Sequence, residues 1–110
     1  MTKQTPELIH GTLELLIMKT VAETPMHGWA IAKHIQQVSE KALEVGQGSL
    51  YPALYRLEER DMIAGRWGVS DSGRRAKVYS LTRKGRKQLV ADEALWEQFY
   101  TAINRVLGSA

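Results

Sequence analysis

The fold is decided by two adjoining stretches, Gln47-Gly-Ser-Leu-Tyr-Pro-Ala-Leu-Tyr-Arg-Leu-Glu-Glu-Arg60 and Ile63-Ala-Gly-Arg-Trp-Gly-Val-Ser-Asp-Ser-Gly-Arg-Arg-Ala-Lys-Val-Tyr-Ser-Leu81. In the first, Leu50, Leu54 and Leu57 recur at the spacing that buries one face of a helix. The second has two runs of strand-forming residues around a turn with Gly73, which can take the left-handed conformation of a short loop. A helix followed at once by a hairpin is the order of a winged helix, so we predict a recognition helix and a wing.

Two helices are predicted before the recognition helix. The first begins at Pro6-Glu7 and ends near Glu23, because the residue before Pro25 avoids helical geometry. The second is expected over residues 30–39. Its inward-facing residues are predicted to be Ile31, Ile35 and Val38.

The recognition helix should begin just before Pro52, since proline is tolerated in a first turn, and Ser49 is its expected N-cap. Thr82 is the expected N-cap of a last helix of roughly 24 residues, about 36 Å long. The predicted class is therefore mainly α (α+β). It is a winged helix-turn-helix with a two-stranded wing and a long C-terminal dimerisation helix. Residues 1–81 would bind DNA and residues 82–110 would form the dimerisation helix.

Charge is concentrated in one segment. The chain of 110 residues has a net charge of only +3, but residues 62–87 hold eight Lys or Arg against the single acid Asp71. The segments on either side are slightly acidic. A concentrated basic segment on a neutral body is typical of a phosphate-binding surface, although a merely solvated face would look the same.

Duplex DNA is the partner that best fits these residues. The major groove accepts one helix, and residues at the start of a recognition helix reach base edges. Tyr51 could instead be a packing residue, and Arg56 could form a salt bridge rather than hold a phosphate. We expect DNA contacts from residues of the third helix and the wing: Gln47, Ser49, Tyr51, Tyr55, Arg56, Arg74, Arg75 and Lys77.

Two further apolar faces predict a symmetric dimer. One face of the first helix, formed by Leu13, Ile17, Thr20 and Val21, is expected in the core. Leu8, Leu15 and Met18 lie on roughly the opposite side. The last helix carries a heptad stripe. Scattered exposed apolar residues are the alternative. The predicted interface comprises Leu8, Leu15, Leu89, Trp96, Phe99, Ile103 and Val106.

The sequence argues against an enzyme or a metal protein. There is no cysteine, and the three histidines show no metal-ligand spacing with each other or with an acid. Ser49 has no recognisable catalytic partner, and Gly46-Gln-Gly lacks the lysine of a phosphate loop. We expect no cofactor. The N-terminus lacks the pattern of a signal peptide and no stretch is long enough to span a bilayer, so a cytoplasmic location is expected.

These residues together resemble the PadR family of bacterial winged-helix regulators. The most specific match is Gly48-Ser-Leu-Tyr-Pro-Ala-Leu-Tyr-Arg-Leu-Glu-Glu59, supported by His27-Gly-Trp in the second helix and by the wing through Thr82-Arg-Lys-Gly85. The short chain resembles the compact subgroup with one helix after the wing. It departs from the family pattern at Trp29 and Val78, where tyrosine is usual, and at Asp61, where glycine is usual.

The resemblance implies a homodimeric transcriptional repressor whose first and last helices form the interface and whose third helix and wing contact DNA. Some relatives bind planar aromatic compounds near the dimer centre, which relieves repression. Trp96 would be the residue to contact such an effector, or else an anchor of the interface. The alternative function is a winged-helix interaction module that docks an acidic partner protein. A small-molecule sensor with vestigial DNA binding is a third hypothesis.

Overall fold

In a computed structural model, four helices surround one core and a small antiparallel sheet lies at the edge. The backbone is described for residues 7–69 and 72–108, and side chains from residue 12 onward. The winged helix-turn-helix fold is as predicted, with one additional short strand. The elements in chain order are α1 (Glu7–Glu23), β1 (Met26–His27), α2 (Gly28–Val38), α3 (Gln47–Glu59), β2 (Ile63–Val69), β3 (Arg75–Leu81) and α4 (Arg83–Gly108).

Helix α1 is the centre of the domain, since α2, α3, α4 and β3 all pack against it. Leu13, Ile17 and Val21 are buried as predicted. Met18 is also buried, at 2% exposure, so the prediction that it faces outward is wrong. A helix contacted on several sides buries more than one apolar stripe, so the second apolar face of α1 does not by itself require a partner subunit.

The recognition helix α3 differs from its prediction at the first turn. It begins at Gln47 with Gly46 as N-cap, so Ser49 lies inside the helix and is not the cap. Pro52 falls in the second turn, where the N–H it lacks would have met the carbonyl of Gly48. Residues 48 and 52 are both exposed, so that carbonyl lies on the exposed side of the helix.

Helix α3 ends in a left-handed residue without a glycine. Asp61 has φ +67°, and its N–H donates to the carbonyl of Glu58 at 3.0 Å. The N–H of Met62 donates to the carbonyl of Leu57 at 2.9 Å. This pair of bonds is the Schellman arrangement, which satisfies the last carbonyls of the helix. Helix α2 ends one residue before its predicted limit, and Val38 there is 68% exposed, so the prediction that it faces the core is wrong.

The sheet has the strand order β1-β3-β2, and both pairings are antiparallel. The two-residue strand β1, which was not predicted, pairs Met26 with Tyr79 and His27 with Val78. Gly73 takes φ +86° in the loop of the wing, as predicted. The strand β1 therefore ties the start of α2 to the base of the wing.

Helix α4 is capped at its N-terminus, and its second half extends away from the core. The Thr82 hydroxyl accepts a hydrogen bond from the N–H of Gly85 at 2.9 Å, which confirms the predicted N-cap. Leu89 is the last buried residue of the helix. The radius of gyration is 15.1 Å, against about 13 Å for a compact domain of this length. The second half of α4 accounts for this elongation, because it has little of its own chain to pack against.

Candidate nucleic-acid interface

The outward face of α3 is the first component of the site. Four residues of this helix are buried against the core: Leu50, Ala53, Leu54 and Leu57. Because they occupy one side, Gln47, Ser49, Tyr51 and Tyr55 lie on the exposed surface. This face offers one amide and three hydroxyl groups, all capable of hydrogen bonds with base edges or phosphates.

The two tyrosines of α3 are held differently. The ring of Tyr51 packs over Gly28 at the start of α2, where an added Cβ would lie 3.1 Å from ring carbon Cε1. Tyr51 nevertheless remains 43% exposed, so it combines packing with an accessible edge. Tyr55 is 63% exposed, and its hydroxyl donates to Oε2 of Glu59 at 3.2 Å. A bond to another acceptor would require Tyr55 to leave Glu59.

Arg56 does not extend freely from α3. Its Nε donates to Oε2 of Glu14 in α1 at 2.8 Å, and Arg60 donates to the other oxygen of the same carboxylate at 2.9 Å. The Glu14 side chain is 21% exposed. The salt-bridge alternative for Arg56 is therefore the arrangement in the structure, with Glu14 as its partner. Arg56 fastens α3 to α1.

The wing presents cations around one exposed aromatic ring. Trp67 of β2 is 59% exposed, and the guanidinium carbon of Arg75 lies 4.8 Å from its ring centroid. Such cation–π contacts are worth about 0.5–1 kcal/mol at exposed sites. Arg74 and Arg75 are both exposed. The stacking restricts the rotamers of Arg75 and leaves its charge at the surface.

Lys77 of β3 is more enclosed than Arg75. It is the cross-strand partner of Trp67 and lies 5.8 Å from that ring. Its ammonium forms an ion pair with Oε1 of Glu58 in α3 at 3.2 Å, and both side chains are about 30% exposed (31% and 29%). The predicted phosphate contact at this position is thus neutralised in the structure by a carboxylate.

A basic group continues from the wing into the first turns of α4. Arg83, Lys84, Arg86 and Lys87 are all exposed. Cations at a helix N-terminus oppose the helix dipole by a few tenths of a kcal/mol each, so stability alone does not favour them. Together with Arg66, Arg74 and Arg75 they make the surface from β2 to the start of α4 strongly positive.

A cleft between the start of α2 and the wing places His27 and Trp29, which the sequence did not predict as site residues, beside Arg74 and Arg75. It has a volume of about 720 Å³ and is lined by His27, Trp29, Ala30, Ser72, Arg74, Arg75 and Ala76. The rings of His27 and Trp29 stack with an interplanar angle of 7°. Within the described part of the chain, the buried Nδ1 of His27 has no hydrogen-bond partner. A two-residue strand has no periodic signature, so nothing in the sequence indicated that β1 places these rings beside the wing.

The predicted dimer residues fall into three groups. The side chain of Leu8 lies outside the described residues. Leu89 is 5% exposed in the chain's own core, so the prediction that it faces a partner is wrong. Leu15 is partly buried between α1 and α4. The exposed residues of the stripe on α4 are Trp96, Phe99, Ile103 and Val106.

That stripe is wider than predicted. Leu95, Tyr100 and Leu107 of α4 are also exposed, at 58–71%. At 3.6 residues per turn they flank the same face as Trp96 and Ile103. The rings of Trp96 and Tyr100 are 6.5 Å apart, and the pair is tilted by 31°. We call this exposed face, from Leu95 to Leu107, the α4 stripe.

Two kinds of site find no support in the described part of the chain. No group of three or more His, Asp or Glu side chains there could hold a metal ion. None of its helices is long and apolar enough to cross a membrane.

Comparison with known proteins identifies this architecture. Residues 17–91 match the model of the transcriptional regulator PadR-like family. The chain is 33% identical over 92 residues to the transcriptional regulator Rv3488 of Mycobacterium tuberculosis, covering 84% of this chain and 82% of that protein.

Solved structures agree over nearly the full length. A PadR-like transcriptional regulator of Bacillus cereus superposes with a TM-score of 0.82 at 26% identity, covering 96% of this chain and all (100%) of that one. A PadR family regulator of Clostridium difficile gives a TM-score of 0.76 at 30% identity, with 89% of this chain and 100% of the other covered. The family is one of DNA-binding regulators and not of enzymes. This chain belongs to the PadR-like family of transcriptional regulators.

Proposed function

We propose that the protein is a homodimeric repressor that binds a two-fold-symmetric operator. Residues 1–81 would bind DNA, and residues 82–110 would join the two subunits. The observation that carries the proposal is the exposed hydrogen-bonding face of α3 beside the positive surface of the wing and the start of α4. Binding to chromosomal DNA would place the protein in the cytoplasm.

In this proposal α3 reads base edges and the wing holds the backbone. Gln47 and Ser49 lie at the start of α3 and would contact bases, with Tyr51 and Tyr55 along the same face. Arg74 and Arg75 would contact phosphates, because both are exposed at the wing. Arg56 and Lys77, each paired with a carboxylate, would act by holding α3 and the wing in place.

The proposed second subunit would cover the α4 stripe. Seven large apolar side chains of α4 are 38–74% exposed along one face, which is more than a monomer of this size normally leaves in contact with water. An antiparallel or crossed pair of such helices would bury both copies of the face in an isologous contact. Two recognition helices would then enter successive major grooves about 34 Å apart.

An effector site is proposed at the same place. A groove of about 330 Å³ between α1 and α4 is lined by Thr12, Leu15, Asp92, Leu95, Trp96 and Phe99. Its apolar walls and the 38% exposed indole of Trp96 would suit a planar aromatic compound. Binding there would alter the packing of the two subunits and so the spacing of the recognition helices.

The first test is binding to labelled random-sequence duplexes as a function of salt, followed by selection of an operator from a random pool. We expect affinity to fall steeply with salt. Arg75→Ala should weaken binding to all sequences and reduce the magnitude of the salt slope by about 1, whereas Gln47→Ala should relax preference at particular bases. Absence of binding at low salt would refute the proposal and favour docking of an acidic partner protein.

The dimer is tested by sedimentation equilibrium of Ile103→Asp. Ile103 lies in the α4 stripe and is 38% exposed, so an aspartate there would be buried and unpaired in the proposed interface. We expect a monomer with a helical spectrum unchanged from wild type. Thr101→Asp, an exposed position on the opposite face of α4, is the matched control and should leave the dimer intact. A monomeric wild type would contradict the proposal.

A further inference from the structure

One ion pair joins the recognition helix to the wing. Glu58, in the last turn of α3, accepts from the ammonium of Lys77 in β3 at 3.2 Å. The two residues are separated by 19 positions in sequence. It joins the two elements that are proposed to contact different parts of the DNA.

The pair is built into the sheet rather than lying loosely on its surface. It passes over Gly65 of β2, where an added Cβ would lie 2.7 Å from Cε of Lys77 and 3.0 Å from Oε2 of Glu58. Gly65 is itself the register partner of Tyr79. The lack of a side chain at residue 65 therefore makes the space that the Lys77 stem and the Glu58 carboxylate occupy.

The pair also connects to the tip of the wing. The Lys77 ammonium lies 5.8 Å from the ring centroids of both Trp67 and Tyr79. The guanidinium of Arg75 lies over the same Trp67 ring, 4.8 Å from its centroid. A continuous series of contacts thus runs from Glu58 of α3 through Lys77 and Trp67 to the exposed guanidinium of Arg75. Displacement of Lys77 would free the ring against which Arg75 is placed.

We infer that Glu58 and Lys77 are positioning residues that set the angle of the wing relative to α3 and thereby contribute to operator discrimination. Lys77 is accordingly a positioning residue and not one of the phosphate contacts. The inference rests on the proposed DNA-binding function. A carboxylate beside a lysine within a DNA-binding surface also lowers affinity for random sequences, since it cancels one positive charge.

Glu58→Gln is the first variant. Removal of the carboxylate charge should increase affinity for random duplex, while the ratio of operator to random affinity falls by roughly three- to fivefold as the wing loosens. Glu59→Gln is the matched control, because it removes the same charge from the neighbouring position, where Glu59 accepts from the Tyr55 hydroxyl and does not contact the wing, and the glutamine carbonyl oxygen can still accept that bond. Any effect of net charge alone will appear equally in both variants.

Lys77→Met distinguishes a positioning residue from a phosphate contact. If Lys77 is a positioning residue, the salt dependence of DNA affinity stays close to that of wild type, while the ratio of operator to random affinity falls as in Glu58→Gln. The double variant should lose no more discrimination than either single variant, because both remove the same contact. Arg75→Ala provides the reference for a lost phosphate contact. A salt slope reduced by about 1 in Lys77→Met would overturn the inference.

Gly65→Ala perturbs the pair without changing charge. The added methyl meets the flexible end of Lys77 at 2.7 Å and lies 3.1 Å from ring carbon Cε1 of Tyr79, so the pair should be displaced while the strands remain paired. Hydrogen exchange of the β2 and β3 amides, which requires no DNA, should accelerate in Gly65→Ala and Glu58→Gln but not in Glu59→Gln. Unchanged exchange in both would refute the positioning role even if DNA binds as proposed. Faster exchange in a protein that binds no DNA would instead refute the proposed function and the inferred role in discrimination.

Discussion

Replacement of Gly85 by alanine should unfold the protein at a much lower temperature, although alanine is the better helix former. Gly85 lies in the first turn of α4 and is buried against Met62, in the turn between α3 and β2. An added Cβ would collide with the carbonyl oxygen of Met62 and would lie 2.9 Å from its carbonyl carbon and 2.8 Å from Cδ1 of Leu81. Backbone cannot rotate away as a side chain can, so α4 must shift.

The magnitude follows from what that shift breaks. The N–H of Thr82 donates to the Met62 carbonyl at 3.1 Å, and the one proton of the Thr82 hydroxyl is shared between the carbonyls of Asp61 at 2.6 Å and Met62 at 2.9 Å. Their loss costs about 1 kcal/mol each, and overpacking adds about 1–3 kcal/mol. The gain in helix propensity offsets about 1 kcal/mol. The net loss is about 2–4 kcal/mol, or roughly 10–20 °C in Tm for a domain of this size.

Thermal and urea denaturation followed by circular dichroism, at one fixed protein concentration, will measure this loss. Gly48→Ala is the matched control, because Gly48 is also in the first turn of a helix but its added Cβ would meet nothing within 4 Å. We expect it to be neutral or stabilising by up to about 1 kcal/mol. If the two variants have equal stabilities, the steric reasoning at Gly85 is refuted.

Three further changes have definite expected outcomes. Asp61→Gly should raise the free energy of unfolding by about 0.5 kcal/mol, because φ at residue 61 is +67° and glycine adopts it without strain; a decrease in the urea midpoint would contradict this. Burial raises the pKa of the Tyr79 hydroxyl above its ordinary value of 10.0, so this group ionises at lower pH in the unfolded chain than in the folded one. Its contribution to the free energy of unfolding should therefore be complete below about pH 10 and be lost as pH rises through the folded pKa. Tyr79→Phe should flatten that alkaline decline, and an unchanged profile between pH 9 and 12 would refute the assignment. Glu14→Gln should cost about 1 kcal/mol in urea denaturation, because Glu14 holds both Arg56 and Arg60; a loss no larger than that of Glu97→Gln on the exposed surface of α4 would show that these pairs add nothing.

The order of the four helices and the two wing strands could be predicted because each of these elements has a local signature, which the two-residue strand β1 lacks. Leucines at helical spacing, a glycine turn between two strand-forming runs and a threonine cap all act over a few residues, and the structure has each of them. The start of α3 was mispredicted for a local reason too. Gly46 caps it through its extended backbone, φ −82° and ψ 162°, with no side-chain bond.

Burial was harder to predict than element type. Met18 was expected on a second, outward face of α1 and Leu89 in the dimer interface, yet both are buried in the core. Periodicity shows which residues share a face of a helix, but it contains no information on how many neighbours the helix has. The central position of α1 and the packing of α4 on it are properties of the assembled domain.

By itself the sequence determined a winged helix with a basic wing, a resemblance to one family and the set of residues from which a DNA-binding surface would be drawn. Tertiary structure alone decided which of those cations are exposed for contact with phosphates and which are paired with carboxylates, because the ion pairs form between residues distant in sequence. Arg56 meets Glu14 across 42 positions and Lys77 meets Glu58 across 19, whereas Arg75 stacks on Trp67 and remains exposed. A lysine in a basic segment has the same local pattern whether it faces a phosphate or a carboxylate, and only the packing of α3 against the wing distinguishes the two.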